Sequence, residues 1–297
     1  MMFQGNTVVL TPKFDVDDVW STVEREKANS IMITGDAMGR PLIEALVASP
    51  DRWDVSSLFA VSSSAALFSA PVKDRFFAHF PNLVITDSIG SSEGGFNGIA
   101  QVPKDGTAMK GGPTVKPAPD VVVVDDEFKV LSPGCGVVGK VARGGNIPIG
   151  YYKDEVKTAA TFVTASDGRR YVVAGDFALW EDDGTITLLG RGSMCINSGG
   201  EKIFPEEVES ALKSHADVFD ALVVGAADER WGQRVAAVVQ PRPGASPSLD
   251  DLSAHCRTRI AGYKVPRELH LVDVIVRSPS GKPDYPWAQD LVARAGA

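Results

Sequence analysis

The chain has 297 residues, of which 44% are hydrophobic and 23% charged, a balance that excludes a disordered polymer and gives room for two domains. Its formal net charge of −8 offers no basic footprint for nucleic acid or for an anionic membrane surface. Cys135, Cys195 and Cys256 are odd in number and far apart, so neither a disulfide framework nor a zinc pattern is expected, and a reducing cytoplasm fits best.

MMFQGNTVVL lacks the basic start and long apolar run of a signal peptide, and no apolar stretch reaches the roughly 20 residues needed to span a bilayer. NTVVLTPKF reads as a strand already in progress, as though the chain opened in the middle of a domain. Val16, Val19, Trp20 and Val23 recur at helical spacing and predict a helix over 16–27. SIMIT (30–34) leans to strand, and a helix follows from Pro41 to Ala48, with the proline placed in its first turn. A further helix over 71–80 leads to the strand LVIT (83–86), an alternation that suggests an α/β layer with a largely parallel sheet.

From about Gly106 short β runs and tight turns dominate (PDVVVVDD, GVVGKVARGG, RRYVVAGDFALW, GTITLLG), a texture closer to a small β-barrel. After Arg191 helices return: 205–214 with Val208, Ala211 and Leu212 on one face, then strands at VFDALVVGA and RVAAVVQ. A second helix is predicted over 249–260, then a strand at ELHLVDVIV and a loop at RSPSGKPDY. The expected organisation is a partial α/β subdomain over 1–105, a β-rich subdomain over 106–190 and a small, mobile α+β domain over 191–297.

Four stretches offer chemistry, and each has an ordinary reading as well. SIGSSEGG (88–95) supplies hydroxyls, backbone donors and one carboxylate, Glu93, suited to phosphate and Mg²⁺, or it is a plain strand-to-helix turn. Asp176 in YVVAGDFA has two acceptor oxygens for a ribose diol, or it is a turn aspartate. Lys282, between Gly281 and Pro283, can neutralise charge developing on a phosphate, or it is an exposed loop lysine. GRGSMCINSGGEKIFPEEVE (190–209) combines Arg191, Gly199, Gly200 and Lys202 with a helix start at Pro205, Glu206 and Glu207. It is either a loop before a helix or a joint that moves over a phosphate-bearing ligand.

In this order and at these separations, the four stretches resemble the adenylate-forming superfamily, specifically its acyl-CoA synthetase (fatty-acid–CoA ligase) branch. GGPTVKPAPDVVVVDDEFKVLSPGCGVVGKVARGGNIPIGYYKDEVKTAATF and YKVPRELHLVD extend the resemblance over nearly the whole chain. The resemblance implies ATP-dependent activation of a carboxylic acid to an acyl-adenylate, then transfer to coenzyme A after a rotation of the small C-terminal domain. It implies that Lys282 bridges the acid and the α-phosphate, that Glu93 helps hold Mg²⁺ and that Ser92 contacts phosphate. By the same correspondence Ser64, Ala65 and Ala66, with Ser88, Ile89, Gly90 and Ser91, border the nucleotide. Asp176 would take the ribose hydroxyls with Arg191, Lys202 would stand near the phosphate, Gly199 and Gly200 would line the pantetheine tunnel, and Ser193 would be the hinge residue.

The chain departs from the family pattern in four places. Ile89 replaces an aromatic adenine contact, Ser193 replaces a charged hinge residue, and Gly139-Lys140-Val141 stands where Gly-Glu-Leu is frequent. Members are usually much longer, and the Ser/Thr/Gly-rich loop that grips the β- and γ-phosphates does not occur here. The chain is therefore expected to be a C-terminal portion, weakly active or inactive alone, with apolar surface that a further chain, such as a second copy, would cover. Two alternatives stay open: a non-catalytic remnant or interaction module, and an acyl-AMP ligase that serves a carrier protein.

Overall fold

The computed structural model describes residues 5–104 and 112–295. It contains a large mixed sheet followed by a smaller one, each covered by helices.

Helix α1 (Val16–Glu26) starts where the Asp15 carboxylate accepts the Asp18 N–H at 3.0 Å, and it stops at Lys27 in the left-handed region (φ 49°). Its Trp20 is fully buried and donates its indole N–H to the Leu42 carbonyl at 3.0 Å. Strand β1 (Ser30–Ile33) leads into α2 (Gly35–Ala48), which begins six residues earlier than Pro41. The Asp36 N–H is satisfied by the Leu67 carbonyl at 2.8 Å, so a tertiary contact extends the helix and leaves Pro41 in its interior, where one intrahelical bond is lost.

Strand β2 (Ala60–Ser64) pairs in parallel with β1 on one side and with β3 (Val84–Ser91) on the other, and α3 (Ala70–His79) connects β2 to β3. β3 runs five residues beyond the expected strand end and turns back as the antiparallel β4 (Gly95–Gln101). SIGSSEGG is therefore a strand end and hairpin, not the start of a helix. The ladder continues through β5 (Thr114–Pro117), then, out of chain order, β11 (Ile186–Arg191), β10 (Asp176–Trp180), β7 (Gly139–Arg143), β9 (Arg170–Val172) and β8 (Phe162–Thr164). β6 (Val121–Val124) pairs with β7, and the short α4 (Glu155–Thr161) precedes β8. The α/β and β-rich stretches thus share one hydrogen-bonded sheet. β1 ends the ladder, and Val8, Val9, Leu10, Met32, Val47 and Phe59 in this part of the chain are exposed apolar side chains.

The hairpin β12 (Ile196–Ser198) and β13 (Glu201–Ile203) opens the smaller sheet. Its two-residue turn is Gly199-Gly200, both at positive φ (61° and 89°), as a tight hairpin of this hand requires. After α5 (Pro205–Lys213) comes the long pair β14 (Val218–Asp228) and β15 (Gly232–Pro241), then α6 (Leu249–Arg257) and β16 (Glu268–Leu271), parallel to β15. Alternate residues of β14 bury opposite faces: Ala221 and Val223 join a core with Val208, Leu212 and Leu252, while Leu222 and Val224 pack with Ala288 and Val292. The second face is covered by α7 (Tyr285–Ala295), a helix the sequence reading stopped short of.

Candidate active site

One cavity of about 770 Å³ lies between the large sheet and the C-terminal residues. Its first wall consists of strand ends and the loops that follow them. Ser64, Ala65 and Ala66 come from the end of β2, Ser88 through Ser92 and Glu93 from β3 and its hairpin, and Asp176 and Arg191 from paired positions of β10 and β11. The Ser64 hydroxyl donates to the Ser88 carbonyl at 2.9 Å and the Ser88 hydroxyl to the Ser63 carbonyl at 3.3 Å. These serines therefore spend their protons on neighbouring strands, leaving a wall of small side chains and backbone. Ile89 is buried within it and provides apolar contact.

Arg191, Asp176 and Glu93 are among the charged groups on that wall. The Arg191 guanidinium donates to Asp176 Oδ1 at 3.1 Å. Burial pushes the Asp176 carboxyl up, and Arg191 pulls it partly back. Glu93 Oε1 accepts the Tyr151 hydroxyl at 2.6 Å, which holds the Glu93 carboxyl below its ordinary range and its charge in place. Lys157 stacks over the Tyr151 ring at 4.0 Å from the centroid.

The second wall belongs to the C-terminal residues and is far denser in ionisable groups. Glu206, Glu209 and Lys213 line it at i, i+3 and i+7 of α5, joined by Arg277, Lys282 and Tyr285. Arg277 clasps Asp220 with bonds of 2.7 and 3.0 Å, and Lys213 Nζ lies 3.3 Å from Asp220 Oδ1. Burial alone would raise Asp220, yet Lys213 and Arg277 more than offset it and hold the carboxyl low. Glu209 accepts the Val223 N–H at 3.0 Å, and its burial raises it despite Lys213. Burial, then the neighbouring Glu209, pushes Glu206 up to about 8. Glu206 as a residue is only half-buried, but its Oε2 is wholly enclosed and has no hydrogen-bond partner. Gly190 faces it: a Cβ there would stand 2.2 Å from Oε2, so only glycine fits at its φ of 146°. Tyr285 is pushed well above its ordinary value, first by burial and then by Glu209 and Glu206.

Of the residues expected from sequence, Ser64, Ala65, Ala66, Ser88 through Glu93, Asp176, Arg191, Ser193 and Lys282 line this cavity. Gly199, Gly200 and Lys202 do not: the glycines form the hairpin turn, with Gly199 beside Trp231, and Lys202 Nζ lies 4.0 Å from Asp126 and over the Phe177 ring. Sequence reasoning gave Glu206 only a place in a helix start and passed over Tyr151, Glu209, Lys213, Arg277 and Tyr285. The charged stripe 206, 209, 213 was readable beside the apolar stripe 208, 211, 212, whereas the partner of Tyr151 comes from a remote hairpin turn and that of Arg277 from a remote strand. No group of three metal-binding side chains occurs among the described residues, and no helix among them is long and apolar enough to cross a membrane.

Residues 207–282 match the family described as AMP-binding enzyme C-terminal domain. The chain is 57% identical over 293 residues to a medium/long-chain-fatty-acid–CoA/3-oxocholest-4-en-26-oate–CoA ligase of Mycolicibacterium smegmatis, covering 98% of this chain and 53% of that protein. It is 55% identical to a 3-oxocholest-4-en-26-oate–CoA ligase of Rhodococcus rhodochrous, covering 97% of this chain and 52% of that one. The amide bond synthetase McbA of Marinactinospora thermotolerans superposes with a TM-score of 0.81 at 28% identity, over 97% of this chain and 56% of McbA. The chain thus spans about half the length of the curated relatives it matches. It carries a match to the AMP-binding enzyme C-terminal domain and corresponds along its length to the C-terminal half of acyl-CoA ligases, as a part of an adenylate-forming enzyme would.

Proposed function

We propose that this chain carries the nucleotide-handling portion of a cytoplasmic acid–thiol ligase that activates a fatty or steroid-side-chain acid. The observation that supports it best is the single cavity lined by Glu93, Asp176, Arg191 and Lys282, drawn from segments far apart in sequence. In the first step a carboxylate oxygen bonds to the α-phosphorus of ATP. The bond to the bridging oxygen breaks, and pyrophosphate leaves with the electron pair. In the second, the coenzyme A sulfur, as thiolate, bonds to the acyl carbon and AMP leaves with the electrons of the broken C–O bond.

In this reading Asp176 accepts both ribose hydroxyls, with its carboxylate oriented by Arg191. The strand-end wall around Ser64–Ala66 and Ser88–Ser91 borders the adenine, with Ile89 packing on it, and Ser92 reaches phosphate. Lys282 offsets the negative charge that grows at the α-phosphate in the transition state. Glu93 fits Mg²⁺: it is an ionised carboxylate with one oxygen tied to Tyr151, and Mg²⁺ commonly takes one or two carboxylates beside substrate phosphates. The ion would screen the phosphates there. Gly199, Gly200 and Lys202 lie off the cavity, so their proposed contacts with pantetheine and phosphate belong to a second orientation of the C-terminal residues, pivoting at Ser193. We expect the 297 residues alone to bind the AMP moiety with little net turnover.

Calorimetry of AMP and of a non-hydrolysable acyl-adenylate mimic tests the reading. The mimic should bind the wild-type chain and bind Asp176→Ala about 10–100-fold more weakly, the cost of a lost hydrogen bond to a charged group. Equal affinity in both would remove Asp176 from the site, and no binding to the folded wild type would favour a non-catalytic module.

A further inference from the structure

Helix α2 belongs to the large sheet, yet the C-terminal residues rest on it at two points. At its N-terminal end lies the lysine loop. A Cβ on Gly281 would stand 3.5 Å from the Cβ atoms of Thr34 and Ala37 and 3.6 Å from the Met38 methyl, an ordinary packing contact. One to two turns further along, Phe219 of β14 is flanked by two cations, the Arg40 guanidinium at 5.7 Å and the Arg242 guanidinium at 6.0 Å from its ring centre. Arg242, just past β15, also donates to Glu44 at 3.1 Å, and Glu44 accepts from Arg75 of α3 at 2.8 Å. Arg40 is itself buried, 3.7 Å from Asp36, and its Nη2 lacks a hydrogen-bond partner.

The two contact points are connected through the strand. Phe219 and Asp220 are consecutive in β14, so one reaches α2 while the other takes the Arg277 clasp. Arg277 also donates to the Gly281 carbonyl at 3.2 Å, and the Ser278 N–H donates to the Lys282 carbonyl at 2.9 Å. The contact at α2 and the loop that carries Lys282 are thus joined by a continuous chain of contacts through Phe219, Asp220 and Arg277.

We propose that Phe219, Arg242 and Glu44 form a latch on α2 that acts as a positioning device for Lys282. This inference rests on the role given to Lys282 above. The latch residues line no part of the cavity; they set where the lysine loop sits. The latch is shallow by construction, because it buries Arg40 with one donor unsatisfied and relies on half-exposed ion pairs that salt weakens.

Hydrogen exchange by mass spectrometry on the 297-residue chain tests this without requiring turnover. In Phe219→Ala and Arg242→Gln, the amides of 34–44 and of 277–283 should exchange together about tenfold faster, the factor expected for loss of one such contact. The β14–β15 core should keep its protection. Glu44→Gln and Arg242→Gln should be non-additive, and Arg75→Gln should leave the lysine loop unchanged. Faster exchange confined to the site of substitution, with 277–283 unaffected, overturns the coupling. A general loss of protection in β14 and β15 also overturns it, because the residues would then serve folding alone. Coupled exchange in a chain that fails to bind the adenylate mimic would leave the latch standing and refute the ligase reading. Unchanged exchange in a chain that binds the mimic would do the reverse.

Discussion

The two walls of the cavity are built on opposite principles. The strand-end wall offers small side chains, backbone, and a few charges each tied to one neighbour: Asp176 to Arg191 and Glu93 to Tyr151. The α5 and lysine-loop wall gathers Glu206, Glu209, Lys213, Arg277 and Tyr285, with Asp220 bound to Arg277 and Lys213, in one cluster of buried and half-buried groups. The first recognises a ligand by shape and a few fixed contacts. The second has a charge state that depends on how tightly it is enclosed, so it suits groups whose charge changes during reaction.

The largest expected effect strikes the second wall. Asp220→Ala leaves Arg277 and Lys213 buried without their common partner, and chemical denaturation should register a loss of about 3–5 kcal/mol. A loss below about 1 kcal/mol would mean that solvent reaches the network and that the contrast between the walls is overstated. Next comes Lys282→Ala in a ligase-competent protein. Acyl-adenylate formation should fall roughly 10²–10³-fold, as for removal of a transition-state donor, while thioester formation from pre-made acyl-adenylate changes far less. Equal losses in both steps would contradict the role given to Lys282.

Glu206→Gln probes the charge state of the second wall. Its folded value of about 8 stands above the ordinary glutamate value of 4.5, so the folded state holds a proton that the unfolded state releases. The stabilisation is full below about 4.5 and is lost as pH rises through about 8. Between pH 5 and 8 the wild type should lose on the order of 2–3 kcal/mol from this group, and the glutamine variant should lack that slope. Parallel pH profiles would show that the Glu206 carboxyl is hydrated. The smallest effect on stability is expected from Asp176→Ala on the first wall. That carboxyl is already raised by burial, and denaturation should shift within about 1 kcal/mol even as nucleotide binding weakens. Unfolding of Asp176→Ala would erase the distinction between the walls.

The first wall was largely legible in the sequence. Its residues lie in short contiguous stretches at strand ends, and the spacing of Ser88, Glu93, Asp176 and Arg191 carried the family resemblance. The hairpin shape of SIGSSEGG was not legible, because the pairing of β3 with β4 is decided by the sheet and not by local propensity. Nor was the early start of α2, which depends on the Leu67 carbonyl. The second wall was legible only as Lys282 and a charged helix start. Whether Glu206 is a solvated first-turn acid or an enclosed one depends on Gly190 lying opposite, a contact that spacing along the chain does not encode. The glycine pair 199–200 illustrates the converse: sequence suggested a ligand contact, and the hairpin turn alone accounts for both positive φ angles.

Both walls are expected to meet one ligand. Lysine-selective labelling of the 297-residue chain, read by mass spectrometry at Lys282, addresses it directly because that side chain is exposed. A saturating acyl-adenylate mimic should protect Lys282 in the wild type, and at the same concentration protection should fall in Asp176→Ala. Unchanged labelling of Lys282 with the mimic demonstrably bound would contradict the account, leaving the two walls as neighbours without a shared ligand.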